Sequence, residues 1–191
     1  MSNHETLYKG ITRVIWGYFF VYFDFKLGTL SVTPAFVGIW MFLSAIDLLK
    51  EERRNMELLR TFAYVLLFWN FACWAAAWGG LSVQGYLPIV GLLVSIINMY
   101  FHFQLMTDLA ALANKYASSE SMIEPTLLRW RSIQTILLTC VVLISYTDNW
   151  NYKYKETIQI LLGIAYVFAG IFLMLELFTL RKVFHSEECQ M

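Results

Sequence analysis

The residues that could do chemistry in this chain are polar side chains set inside or at the end of long apolar runs: Asn70, Asn98, His102 and Asp108. Asn98 and His102 are one helical turn apart, and Gln104 and Asp108 are one turn apart on an adjoining face. An imidazole grouped with amides and a carboxylate in an apolar setting can relay a proton or cation, or line a path for a polar solute. The plainer alternative is an interhelical contact, with the imidazole donating to a carbonyl or hydroxyl on a neighbouring helix. A metal centre is a poor fit, because His102 has no HxxxH or HExxH partner and no carboxylate at ligand spacing.

A second group is aromatic. Trp74, Trp78, Tyr146 and Trp150, with Tyr86, Tyr152 and Tyr154 near them in depth, collect towards one side of the apolar runs. Such a collection reads as an interfacial belt or as a pocket for a planar ligand beneath the outer loops. Asp47 and Glu176 lie about one turn from the ends of their runs, where Arg53 and Arg181 can reach them as interfacial ion-pair partners; a gate at the inner mouth is the sharper alternative.

Motifs for catalysis are absent. The chain has no phosphate-binding glycine loop, no GxSxG, no paired catalytic carboxylates and no Ser/Lys arrangement, so an enzyme is the least supported reading. Cys73 and Cys140 sit in apolar runs and Cys189 in the tail, which gives no disulfide framework and no CxxC. The tail His185–Cys189 holds metal-capable residues but is short, and no cofactor is expected anywhere in the chain.

The elements that must position these residues follow from composition. Hydrophobic residues make up 59% of the 191 and charged ones 15%, too few polar groups to clothe a water-soluble fold. From Thr61 to Thr107 there is no Lys, Arg, Asp or Glu, far more than the ~20 residues needed to cross ~30 Å of hydrocarbon. The turn-rich patch Gly79–Pro88 divides that run into two helices of a hairpin. The whole pattern predicts an all-α integral membrane bundle, one transmembrane domain over 1–191, with about six spans at 8–23, 33–49, 61–79, 86–106, 126–147 and 157–180. After the fourth span the helix-friendly stretch Thr107–Tyr116 continues the helix beyond the membrane. The first span has an uncharged core of only Val14–Phe23 and reads either as a true span or as a re-entrant or interfacial helix.

On a helical wheel Asn70, Trp74 and Trp78 share one stripe of the third span, with Ala72, Ala76 and Gly79 opposite. The small residues predict a face for close helix packing. With both termini inside, the cytoplasmic segments carry eleven Lys and Arg and the outer loops only Lys26, Lys153 and Lys155. That bias predicts an even number of spans, a multi-pass protein of the cell (cytoplasmic) membrane, and N-in/C-in orientation. The zero net charge gives no basic excess for nucleic acid, so the expected partners are the lipid bilayer and a membrane protein or a second copy of the chain.

The opening segment, Ile15-Trp16-Gly17 through Asp24-Phe25 to Pro34-Ala35-Phe36-Val37-Gly38, resembles uncharacterised small polytopic membrane proteins of Firmicutes. In those the residue at the position of Ala35 is acidic, and the resemblance, over the first 40 or so residues, implies a bacterial membrane and no particular activity. The layout is also similar to the substrate-binding subunits of energy-coupling-factor vitamin transporters, although the first span lacks their alanine-rich coupling face. Two functions follow as expectations: a small-solute-binding transport component, or a non-transporting accessory, regulatory or immunity-type protein acting through helix–helix contacts.

Overall fold

The computed structural model describes residues 3–23, 26–27, 30–31, 33–52, 56–81, 83–117, 122–146 and 152–188. Its elements are α1 (Asn3–Tyr22), a two-residue hairpin of β1 (Lys26–Leu27) and β2 (Leu30–Ser31), α2 (Ala35–Leu49), α3 (Met56–Trp78), the single turn α4 (Val83–Tyr86), α5 (Pro88–Tyr116), α6 (Ile123–Tyr146) and α7 (Tyr152–Glu188). The fold is therefore an all-helical bundle. Its six longer helices correspond one to one with the six stretches expected from the apolar runs. Four of them, α3, α5, α6 and α7, are long and apolar enough to cross a membrane. The apolar α2 has only 15 residues, or about 22 Å at ~1.5 Å per residue.

Proline and glycine set the boundaries. Pro34 stands immediately before α2 and Pro88 is the first residue of α5, positions where the missing N–H would have no helical acceptor. At the end of α3, Gly80 takes φ +71°, and the N–H groups of Gly79 and Leu81 both return to the Ala76 carbonyl, at 2.9 and 3.0 Å. A left-handed residue after the last helical turn is the usual glycine stop. The patch Gly79–Pro88, expected only as a turn, also winds α4, whose closing bond runs from the Leu87 N–H to the Val83 carbonyl at 2.9 Å. Apart from the expected continuation of α5 to Tyr116, three helices overrun their expected stretches by more than a turn: α1 begins at Asn3, α3 begins at Met56 and α7 runs from Tyr152 to Glu188; the flanking Leu, Met, Arg and Lys residues of α3 and α7 are good helix formers in their own right.

The helices form a closed ring. Each packs on the next, α1 on α2, α2 on α3, α3 on α5, α5 on α6, α6 on α7, and α7 returns to α1. Contacts run in opposite senses along the partners: a Cβ on Gly10 would meet Leu49 and one on Gly17 would meet Phe42, while Arg13 donates to the Ser44 carbonyl at 3.2 Å and to its hydroxyl. Neighbours are thus antiparallel, as short connections require. The start of α1 and the end of α7 lie at one end of the ring, here the termini end; the hairpin of β1 and β2, and α4, belong to the other.

Tight packing is at α1 against α2. A Cβ on Gly38 would stand 2.6 Å from the Gly17 carbonyl oxygen, so both backbones approach closer than any side chain allows. The expected small-residue face of α3 is not of this kind at Gly79, whose added Cβ would meet only the Ala76 carbonyl of its own helix, at 3.5 Å. The buried core is concentrated towards the termini end: Leu7, Ile11 and Tyr18 of α1, Phe42, Ile46 and Leu49 of α2, Met56, Leu59 and Leu66 of α3, Phe101, Leu105 and Leu109 of α5, and Leu173, Leu180 and Phe184 of α7 are all fully buried. The opposite half is looser, and the cavities described next open there.

Candidate functional site

Asn70 and Asn98 line the same cavity. It has a volume of about 170 Å³ and is walled by the end of α1 (Val21), the start of α2 (Ala35, Ile39), α3 (Leu66, Trp69, Asn70) and the first turns of α5 (Gly91, Val94, Ser95, Asn98). The antiparallel α3–α4–α5 hairpin brings the two amides to matching depth, since each lies a few turns from the connection. They do not hydrogen-bond to each other. The Asn70 amide nitrogen donates to the Leu66 carbonyl one turn back, at 2.7 Å, and the Ser95 hydroxyl donates to the Gly91 carbonyl at 2.9 Å. Both bonds leave acceptor oxygens available: the Asn70 carbonyl and the Ser95 lone pairs. Among the described residues no Lys, Arg, Asp or Glu lines the space, so it is suited to an uncharged polar molecule.

His102 is one turn from Asn98 in sequence but belongs to a different environment. It is buried, and its Nδ1 lies 3.1 Å from the Tyr18 hydroxyl of α1, across the ring. Phe42 of α2 packs on both, with ring centroids 4.8 Å from Tyr18 and 5.7 Å from His102, and also stands 5.7 Å from Phe101. Tyr18, Phe42, Phe101 and His102 thus fill the middle of the ring from three helices. This aromatic plug lies below the cavity, and beneath it the core of buried leucines continues to the termini end. The arrangement is a cup with a closed floor.

Asp108 is buried and accepts a hydrogen bond from Gln104 at 3.2 Å, the partner one turn away on its own helix. It is well over two turns from Asn98 along α5 and is not part of the cavity wall. Near the termini end, Asp47 pairs with Lys50 at 3.7 Å and Arg60 at 3.5 Å. Glu52 receives Lys115 at 2.6 Å and the Tyr116 hydroxyl at 2.9 Å, tying the segment after α2 to the end of α5. Arg181 does not reach Glu176; it lies over the rings of Phe178 and Tyr8, 4.8 and 5.5 Å from their centroids. Arg53, the other expected partner, is outside the described residues.

The aromatic candidates separate. Trp74 packs edge-on against Trp78 at 5.4 Å and against Phe36 of α2 at 5.3 Å, with Phe71 beside them. Tyr146 is engaged elsewhere, its hydroxyl donating to the Pro88 carbonyl at 3.3 Å where α6 meets the start of α5. Trp150 lies outside the described residues.

Several site residues escaped the sequence reading. Trp69 and Ser95 line the cavity, and Tyr18 and Gln134 surround His102. Ser95 stands three residues from Asn98, a helical neighbour that the run of polar residues on α5 could have flagged. Tyr18 could not be found this way, because its partner is 84 residues distant and only the ring closure joins them. In comparisons with known proteins, no family model, no curated protein and no solved structure matches this chain.

Proposed function

We propose that the chain is a six-span protein of the cytoplasmic membrane, with both termini inside, that binds a small uncharged polar solute from the outer side as the recognition component of a transport process. The observation that carries this reading is the cavity of about 170 Å³ walled by Asn70, Ser95, Asn98 and Trp69 above a closed aromatic floor. At about 30 Å³ per water the space equals five or six waters, below the ~300 Å³ at which drug-sized sites begin. Two amides and a hydroxyl can orient such a molecule while Trp69 offers it an apolar wall. The packed inner half supports binding rather than free conduction, so release inward calls for a rearrangement or a partner. Six spans and the orientation rest on the eleven-to-three bias of basic residues, which assigns the termini end to the cytoplasm.

The second reading, a non-transporting accessory protein acting through helix contacts, draws on an apolar groove of about 440 Å³ between α2 and α3, lined by Phe36, Trp40, Tyr64, Leu67, Phe68 and Phe71. Lipid tails fill such a groove equally well, whereas amides around a cavity have no use for lipid. The experiment that separates the two is a thermal-shift screen of the purified protein in nanodiscs against small amides, ureas, polyols and heteroaromatic bases. Solute binding predicts that at least one class raises the melting temperature and that Asn98→Leu abolishes the response. A flat response to all four classes contradicts it.

A further inference from the structure

A second, smaller void lies on the other side of His102. It is bounded by α5 (Met99, His102, Phe103, Met106), α6 (Arg131, Gln134, Thr135, Leu138) and Tyr166 of α7, and its volume is about 10 Å³, room for one particle of water size. Three side-chain nitrogens from these walls are buried and make no hydrogen bond: His102 Nε2, Arg131 Nε and Gln134 Nε2. His102 and Gln134 are each more than nine-tenths buried, at 9% and 6% exposure. Orphaned donors are rare in folded proteins, and three around one void mark an occupant.

The chemistry of that occupant follows from the donors. Arg131 is a permanent cation. Its half-buried side chain lies against α5, where one terminal nitrogen donates to Thr107 Oγ1 at 2.9 Å and the guanidinium lies 4.1 Å from the centre of the Phe103 ring. Neither neutralises its charge, and among the described residues no carboxylate is within ion-pair distance of it. In the tautomer in which the Tyr18 hydroxyl donates to Nδ1, the His102 hydrogen is on Nε2, the unpartnered nitrogen, and His102 supplies a second donor to the void it lines. The Gln134 amide supplies the third. A neutral water would accept these bonds but leave the half-buried guanidinium without a counter-charge, which a bound anion supplies. We propose that the void is a site for one monatomic halide ion, chloride or smaller, held by Arg131, Gln134 and His102. Met99 and Met106, flexible thioethers on its wall, give the space to fit the ion. The site is separate from the solute cavity and does not depend on that reading.

The test exchanges sodium gluconate, too large for the void, for sodium chloride or fluoride at constant ionic strength, with the full-length protein in detergent. The expected result is a saturable rise in melting temperature with halide. Gln134→Leu should raise the half-maximal concentration about tenfold or more, as loss of a hydrogen bond to a charged group requires. Arg131→Gln should abolish the response, and Arg129→Gln, an exposed neighbour, should leave it intact. Should Arg131→Gln fail to fold, long-wavelength diffraction from the unaltered protein in chloride decides: an anomalous peak between the three nitrogens supports the site. Melting that is indifferent to halide, a response that survives Arg131→Gln, or a peak without anomalous signal overturns it.

Discussion

Replacing Tyr18 by Phe removes one oxygen and strands His102 Nδ1 in the floor of the cup. A buried polar group left without its partner costs about 1–3 kcal/mol, so Tyr18→Phe should lower unfolding stability in micelles by that amount while Trp16→Phe, on the exposed face of α1, changes little. The amides behave differently. Because Asn70 bonds its own helix and not Asn98, a double-mutant cycle of Asn70→Leu and Asn98→Leu should give coupling below about 0.5 kcal/mol. Coupling well above that value would make the pair interhelical glue rather than a cavity wall. At this scale the sequence exposes which residue types are out of place, since an amide in an uncharged run is visible by inspection. It does not expose which of two neighbouring voids each serves: Asn98 and His102, one turn apart on α5, face a cavity and a plug respectively, and that depends on where α1 crosses.

The element that decides the arrangement is α1, whose position between α2 and α7 closes the ring. Its approach to α2 depends on Gly17 and Gly38, and Gly38→Ala, which sets a methyl 2.6 Å from the Gly17 carbonyl oxygen, should destabilise the protein by about 1–3 kcal/mol through overpacking. Gly163→Ala on α7 has open space around the new methyl and should stabilise, by up to about 1 kcal/mol, through helix propensity alone. Equal effects at the two positions, read by thermal unfolding, would remove the claim of a close crossing. The helices themselves were legible because runs of apolar residues bounded by charges, prolines and glycines specify them locally. The place of tightest packing was not, since the alanines of α3 carry the same small-residue signature as Gly17 and Gly38, and only the tertiary contacts tell which is used.

At the scale of the whole molecule, packing is uneven: the half near the termini is filled with buried leucines and aromatics, and the other half holds the amide-lined space. Such a molecule has two unlike ends, and the orientation proposed from the bias of basic residues turns the packed end to the cytoplasm. The all-helical class and the number of longer helices could be read from composition and charge spacing, whereas the cup, its floor and its depth required the ring closure that unites α1 with α7. A closed floor predicts no passive leak, so proteoliposomes should hold a gradient of any solute that binds. The most direct measurement is labelling by a membrane-impermeant thiol reagent, in intact cells, of Ser95→Cys and Leu109→Cys made after Cys73, Cys140 and Cys189 are changed to Ser. Ser95→Cys, on the cavity wall, should react from the outer side and be protected by bound solute, and Leu109→Cys, in the sealed half, should react from neither side. Labelling of Ser95→Cys only from the cytoplasm, or of Leu109→Cys from outside, would contradict an outward-facing cup with a closed floor.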